Sequence, residues 1–202
     1  MTYDLLVFDL DGTLCDSAPD ISASLRRTLE RMGRRPISHE TVVAAIGSGV
    51  RKLIERTTTP PIEPVMEAFL REYSEHLLDQ TKLYDGVAET LAKLSVRKIV
   101  LSNKPEAMSK KVVEGLGIAR HFDAVYGGDS FPVRKPDPDC WRRAVGDASR
   151  PLMIGDSGTD VQTARNAGAA VVAVTYGYYK PGELDDADFR IDRFDQLLSL
   201  LR

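Results

Sequence analysis

A continuous apolar run, Leu5, Leu6, Val7 and Phe8, stops at two aspartates and a glycine, Asp9, Asp11 and Gly12. A short unbroken hydrophobic stretch that ends this way is the pattern of a strand buried on both faces of a parallel sheet. In extended chain, residues two apart point to the same side. The carboxylates of Asp9 and Asp11 would therefore emerge together at the carboxyl end of the strand, with Gly12 letting the backbone turn sharply beside them. Two acids in one place repel unless a cation binds there or one of them holds a proton, and both outcomes are typical of active sites. An aspartate-rich turn leading into a capped helix accounts for the same residues. On this stretch alone both readings stand.

Past Thr13 the pattern turns helical for about seventy residues. Asp16 or Ser17 would cap a helix from about 19 to 32, with Ile21, Leu25, Leu29 and Met32 three or four apart and Gly33 as its stop. Ser38 and Thr41 open a second helix through Ile46. Gly47, Ser48 and Gly49 interrupt, Val50, Leu53 and Ile54 begin a third, and Val65, Phe69, Tyr73 and Leu77 mark a fourth over about 64–78. The stretch 15–82 thus reads as an all-helical insert, which leaves 1–14 and 83–202 as an α/β domain. In the second part strands near 98–101, 124–126, 152–154, 169–174 and 189–191 alternate with helices, as expected of a parallel sheet with crossover helices.

The reactive side chains gather at strand ends. Asp9 and Asp11, Ser102 and Asn103, and Asp156 all fall just past the carboxyl end of a predicted strand, the edge where open parallel sheets bind ligands. Lys135, between Arg134 and Pro136, belongs to a loop on that edge. Carboxylates for a hard cation, a hydroxyl, an amide and a fixed positive charge are equipment for a phosphate. Magnesium, usually held by one or two carboxylates with water and phosphate oxygens, fits Asp9 and Asp156. Asp160, one helical turn beyond Asp156, would hold the metal's waters or orient Lys135, while one of these two acids would cap the helix that begins near 159. On a bound phosphate ester Asp9 suits nucleophilic attack, and Asp11 suits protonation of the leaving oxygen followed by activation of water. Thr13, Ser102 and Lys135 would stabilise the phosphoryl oxygens.

Composition narrows the partners. Hydrophobic residues make up 43% and charged residues 28% of the 202, which is the profile of an ordered soluble protein. The 27 basic and 30 acidic side chains leave a charge of −3 without a basic block, so no nucleic-acid partner is expected. No apolar run approaches the roughly 20 residues needed to span a bilayer, and no signal-peptide pattern opens the chain; a cytoplasmic protein without a membrane partner is the expectation. Cys15 and Cys140, far apart and outside any metal-ligand spacing, are expected as free thiols.

DLDGT at 9–13, SNK at 102–104, KPDP at 135–138 and GDSGTD at 155–160 resemble, in order and spacing, the four motifs of the haloacid dehalogenase superfamily. The resemblance spans nearly the whole chain. It implies a Rossmann-like three-layer α/β sandwich with a parallel central sheet, a helical cap inserted after the first motif, and Mg2+ held by Asp9, Asp156 and the main-chain carbonyl of Asp11. SAPDI at 17–21, GSGVRKLIER at 47–56, GGD at 127–129 and TYGY at 175–178 are similar to the phosphoglycolate phosphatase branch. That likeness implies a small anionic phosphomonoester as substrate, foremost 2-phosphoglycolate. It brings Gly47, Ser48 and Gly49 toward substrate, with Arg51 or Lys52 attracting its carboxylate, beside the strand-end amide of Asn103; a solvated helix face is the other reading of those two cations. A sugar-phosphate phosphatase or phosphosugar mutase is the alternative within the superfamily, and a non-catalytic binding module the alternative outside enzymes. A dehalogenase gives Asp11 no role, because a departing halide needs no proton. The stretches LSVRKIV and WRRAVGDASRPLM are shorter than in relatives, and the four motifs are spared.

Overall fold

The computed structural model describes residues 3–201. Its strands are β1 (Leu5–Phe8), β2 (Cys15–Asp16), β3 (Lys82–Leu83), β4 (Arg97–Leu101), β5 (Ala124–Tyr126), β6 (Pro151–Gly155), β7 (Ala170–Val174) and β8 (Phe189–Ile191). The helices are α1 (Ala18–Arg31), α2 (His39–Val43), α3 (Val50–Thr57), α4 (Glu63–Glu75), α5 (Val87–Lys93), α6 (Glu106–Gly115), α7 (Pro138–Val145), α8 (Gly158–Ala167) and α9 (Leu197–Leu200).

Six strands form one parallel sheet in the order β5-β4-β1-β6-β7-β8. All four residues of β1 are fully buried, as a strand covered on both faces requires. Alternation along β1 divides the core into two layers. Leu6 and Phe8 join Leu91 of α5, Val112 of α6 and Leu197 of α9, whereas Leu5 and Val7 join Trp141 of α7 and Ala164 of α8. The result is a three-layer α/β sandwich with a parallel central sheet.

Helices α1 to α4 lie between β1 and β4 in sequence, and their apolar stripes, including Leu25, Leu29, Leu53, Ile54, Val65, Phe69 and Tyr73, extend the layer that holds Leu6 and Phe8. Glu72 of α4, buried between the helices, pairs with both Arg27 and Arg31 of α1. The chain enters and leaves these helices through β2 and β3, which pair antiparallel, Cys15 with Leu83 and Asp16 with Lys82. Asp20, buried in the first turn of α1, closes the junction. Its carboxylate accepts from the backbone N–H groups of Gln80 and Thr81 at 3.0 and 2.8 Å and from the Thr81 hydroxyl at 2.7 Å.

Local signals set most boundaries. Ser38 caps α2 by accepting from Thr41 N at 3.3 Å, and Asp137 caps α7 by accepting from Asp139 N at 2.9 Å. Helix α4 ends at Glu75 rather than continuing to 78. Cys15 and Cys140 are free and buried. No helix among the described residues is long and apolar enough to cross a membrane.

Candidate active site

Strand order reverses direction at β1: the chain moves outward to β4 and β5 on one side, then to β6, β7 and β8 on the other. Loops leaving the carboxyl ends of β1, β4 and β6 diverge there and open a crevice. Asp9 and Asp11 follow β1, Ser102, Asn103 and Lys104 follow β4, and Asp156 follows β6; all six are nearly buried.

Lys135, 4% exposed, sits between two carboxylates, donating to Asp9 Oδ1 at 2.7 Å and to Asp160 Oδ1 at 2.6 Å. Burial pulls its ammonium down, but the charges of Asp160 and Asp9 more than offset this and hold it above the ordinary lysine value. Carboxylate oxygens of Asp9, Asp156 and Asp160 lie within 4.8 Å of one another. Burial pushes the Asp9 carboxyl up to about 7, against the pull of Lys135. Asp156 is pushed well above the usual carboxylate range by burial and by the charges of Asp160 and Asp9. With all three ionised, one ammonium leaves two negative charges uncompensated. An all-oxygen donor set with that excess fits a hard divalent cation.

The backbone is shaped around Asp156. Thr13 Oγ1 donates to Asp156 Oδ1 at 3.0 Å and Tyr178 N donates to Asp156 Oδ2 at 2.7 Å. A Cβ on Gly12, whose φ is +91°, would lie 2.2 Å from Asp156 Oδ2, and one on Gly177 would lie 2.4 Å from both Asp156 and the Gly12 carbonyl. Two chain segments thus approach Asp156 as closely as only glycine permits. Asp160 both opens α8 and serves the site: its Oδ2 accepts from Ser157 N at 3.0 Å and Ser157 Oγ at 2.7 Å, while Oδ1 faces Lys135.

Asp11 has a separate environment. Ser17 Oγ donates to its Oδ1 at 2.6 Å, and Lys104 Nζ reaches both of its oxygens at 2.9 and 3.0 Å. Lys104, 6% exposed, also donates to the Tyr73 hydroxyl at 2.6 Å. Asp9 is therefore coupled to Lys135 and Asp11 to Lys104, which keeps the two aspartates chemically distinct although they are two residues apart.

Ser102 lines the same cavity as Asp9 and Asp11, and so do Gly47 and Gly49. Asn103 lines it too, but its amide hydrogens are committed to Gly47 O at 3.1 Å and Lys135 O at 3.0 Å. It ties the helical segment to the Lys135 loop, and its buried Oδ1 accepts no hydrogen bond among the described residues. Ser48 turns outward and accepts from Arg56 at 3.2 Å. Arg51 is exposed and pairs with Glu63 at 2.8 Å, because α3 and α4 begin side by side; Lys52 pairs with Glu55. Neither Arg51 nor Lys52 lines the cavity.

Residues that sequence reasoning did not assign to the site are Lys104, Tyr73, Ser17, Tyr176 and Tyr178. Lys104 stood inside the SNK stretch and Tyr178 inside TYGY, so the motifs held the signal without its meaning. The Tyr178 hydroxyl accepts from Ser17 N at 2.8 Å and donates to Asp16 Oδ1 at 2.7 Å, and the Tyr176 hydroxyl donates to Thr13 O at 2.9 Å. This tyrosine pair clamps the loop that carries Thr13.

The family described as haloacid dehalogenase-like hydrolase matches residues 6–174. A phosphoglycolate phosphatase of Mesorhizobium japonicum is 38% identical over 193 residues, covering 88% of this chain and 85% of that protein. One of Agrobacterium fabrum is 36% identical over 213 residues, covering 98% and 91%. Among solved structures, a predicted phosphoglycolate phosphatase from Haemophilus somnus superposes with a TM-score of 0.92 at 29% identity, covering 100% of this chain and 99% of that one. With the family matched over most of its length, the chain belongs to the haloacid dehalogenase-like hydrolases.

Proposed function

We propose that this hydrolase is a magnesium-dependent phosphoric monoester hydrolase that converts 2-phosphoglycolate to glycolate and phosphate through an aspartyl phosphate on Asp9. The observation that carries the reading is the Lys135 ammonium held between Asp9 and Asp160 beside Asp156, in a crevice that Asp11 shares. The relatives named phosphoglycolate phosphatase support the substrate.

Asp9, Asp156 and the main-chain carbonyl of Asp11 would hold the ion, with Asp160 supporting it from behind. When bound, magnesium neutralises charge on the phosphoryl group and lets Asp9 ionise despite its burial. Lys135 keeps the attacking carboxylate of Asp9 oriented and supplies a fixed positive charge beside it. Asp9 attacks phosphorus, the phosphorus–oxygen bond to the leaving group breaks, and Asp11 gives that oxygen its proton. Ser17 and Lys104 fix the direction in which the Asp11 carboxyl faces. Asp11, now ionised, takes a proton from water, whose oxygen attacks phosphorus and releases phosphate while Asp9 is regenerated. Thr13, Ser102 and backbone amides after Asp9 serve the phosphoryl oxygens. Helices α1 to α4, with Gly47 and Gly49 against the cavity, act as the cap that keeps bulk water from the intermediate.

Phosphate release from 2-phosphoglycolate, sugar phosphates, nucleotides and pyrophosphate, with and without magnesium, tests the reading. Turnover should be greatest on 2-phosphoglycolate and require the ion; preference for a hexose phosphate would select the sugar-phosphate alternative. Asp9→Asn should lower kcat by more than about 10³-fold, on the scale of losing a covalent nucleophile. Substantial residual hydrolysis with that variant would argue against the covalent route.

A further inference from the structure

The cavity above Asp9 and Asp11 is small, about 50 Å3, and its walls are mostly apolar, with Ile21, Val50, Leu53, Phe69 and Met108 among them. Lys104 is the one cationic side chain lining it among the described residues. Tyr73, on helix α4, lines it as well, and its hydroxyl accepts from Lys104 at 2.6 Å. The Tyr73 hydroxyl hydrogen has no acceptor among the described residues, although the side chain is 3% exposed; buried tyrosine hydroxyls ordinarily find one. A buried ammonium and an uncommitted O–H therefore adjoin at one wall of a cavity otherwise suited to a short carbon chain.

We propose that Lys104 and Tyr73 form the receptor for the carboxylate of the substrate, and that the receptor sets specificity for a two-carbon acid. This deepens the phosphomonoesterase reading and rests on it. A carboxylate seated here would accept the Tyr73 hydrogen and share the Lys104 charge, in surroundings dry enough to strengthen both contacts. The role expected of Arg51 from its place after the glycine loop passes to Lys104, since Arg51 is engaged by Glu63 outside the cavity. One half of the receptor comes from the loop after β4 and the other from α4, so it is complete only with the helices seated on the sheet edge.

The test compares 2-phosphoglycolate with ethyl phosphate, in which a methyl group replaces the carboxylate. The quantity read is the ratio of kcat/KM for the two esters, whatever the absolute rates. Lys104→Met should lower the preference for 2-phosphoglycolate at least 30-fold, and Tyr73→Phe about 10-fold, the scale of losing a hydrogen bond or charge contact to an ionised group. An unchanged ratio, with both esters slowed alike, would mean that Lys104 acts only through Asp11 and would overturn the receptor. Should Lys104→Met fail to fold because Asp11 is left unpaired, calorimetry on Asp11→Asn and Asp11→Asn/Lys104→Met proteins replaces turnover. The double variant should bind 2-phosphoglycolate at least 30-fold more weakly with ethyl phosphate little altered; equal weakening of both overturns the proposal. A wild-type enzyme that hydrolyses both esters equally refutes the receptor and leaves phosphoester hydrolysis standing. One that hydrolyses neither refutes the catalytic reading, and the calorimetric comparison still decides the receptor.

Discussion

Asp9 shows how burial and a cation share control of one carboxyl. With its pKa pushed up to about 7, Asp9 is largely protonated at pH 5 and must lose that proton before it ligates a metal. Magnesium affinity should therefore rise with pH, by up to roughly tenfold per unit for each displaced proton, and go on rising above pH 7 because the Asp156 carboxyl is pushed well above the usual range as well. Calorimetric titration with MgCl2 from pH 5 to 8.5 measures this; a flat profile would remove Asp9 from the ligand set. Gly12 is the second test at this scale. A methyl group there meets Asp156, whose carboxylate is pinned by Thr13 and Tyr178, at a φ that side chains rarely adopt. Gly12→Ala should cost about 2–3 kcal/mol in a denaturant titration and weaken magnesium binding at least tenfold. The convergence of Asp9, Asp11 and Asp156 on one sheet edge was legible in the sequence because each follows a strand, whereas Lys135 stands well past β5 in a proline-bracketed loop. Lys104 was not legible as a partner of Asp11, because the two lie 93 residues apart and only the packing of β4 on β1 joins them. Arg51 stands beside the glycine loop in sequence, but its partner Glu63 lies one helix later and engages it outside the cavity.

Elements with strong local signals were readable and those held by distant contacts were not. Hydrophobic spacing and capping residues located α1 to α4 and the strands of the large sheet to within a few residues. Strands β2 and β3 escaped notice because two residues carry no periodicity, and their pairing spans the whole helical segment. Ser17, expected as a candidate cap for α1, stands at the cap position but gives its hydroxyl to Asp11, while Asp16 accepts from Ala18 N at 3.3 Å. A helix start and the loop that carries Asp11 thus share one residue. Asp20 belongs to this scale too. Removing its carboxylate leaves two backbone N–H groups and a hydroxyl at the return of the chain without their acceptor. Asp20→Ala should destabilise the fold by about 2–4 kcal/mol, read from the urea midpoint, since each unsatisfied buried donor costs ~1–3 kcal/mol. The loss should be greater than for any exposed carboxylate of the same helices.

At the scale of the whole molecule, the site draws on loops after β1, β4 and β6 and on the helices above them, so a ligand that binds there links segments from across the chain. Magnesium with inorganic phosphate at a hundred times its dissociation constant should add about 2.7 kcal/mol to stability. For a chain of this length that corresponds to a rise of roughly 5–10 °C in Tm, measured by scanning fluorimetry. Either component alone should give less. The β2–β3 ribbon carries a wider consequence. Because the chain departs and returns through neighbouring residues, the length and composition of what lies between are decoupled from the geometry of the sheet. A different segment grafted between Asp20 and Gln80 would leave Asp9, Lys135 and Asp156 where they are and keep Ser17 on Asp11 while replacing Tyr73 and most of the apolar walls, so the same chemical step is open to new substrates by exchange of one cassette.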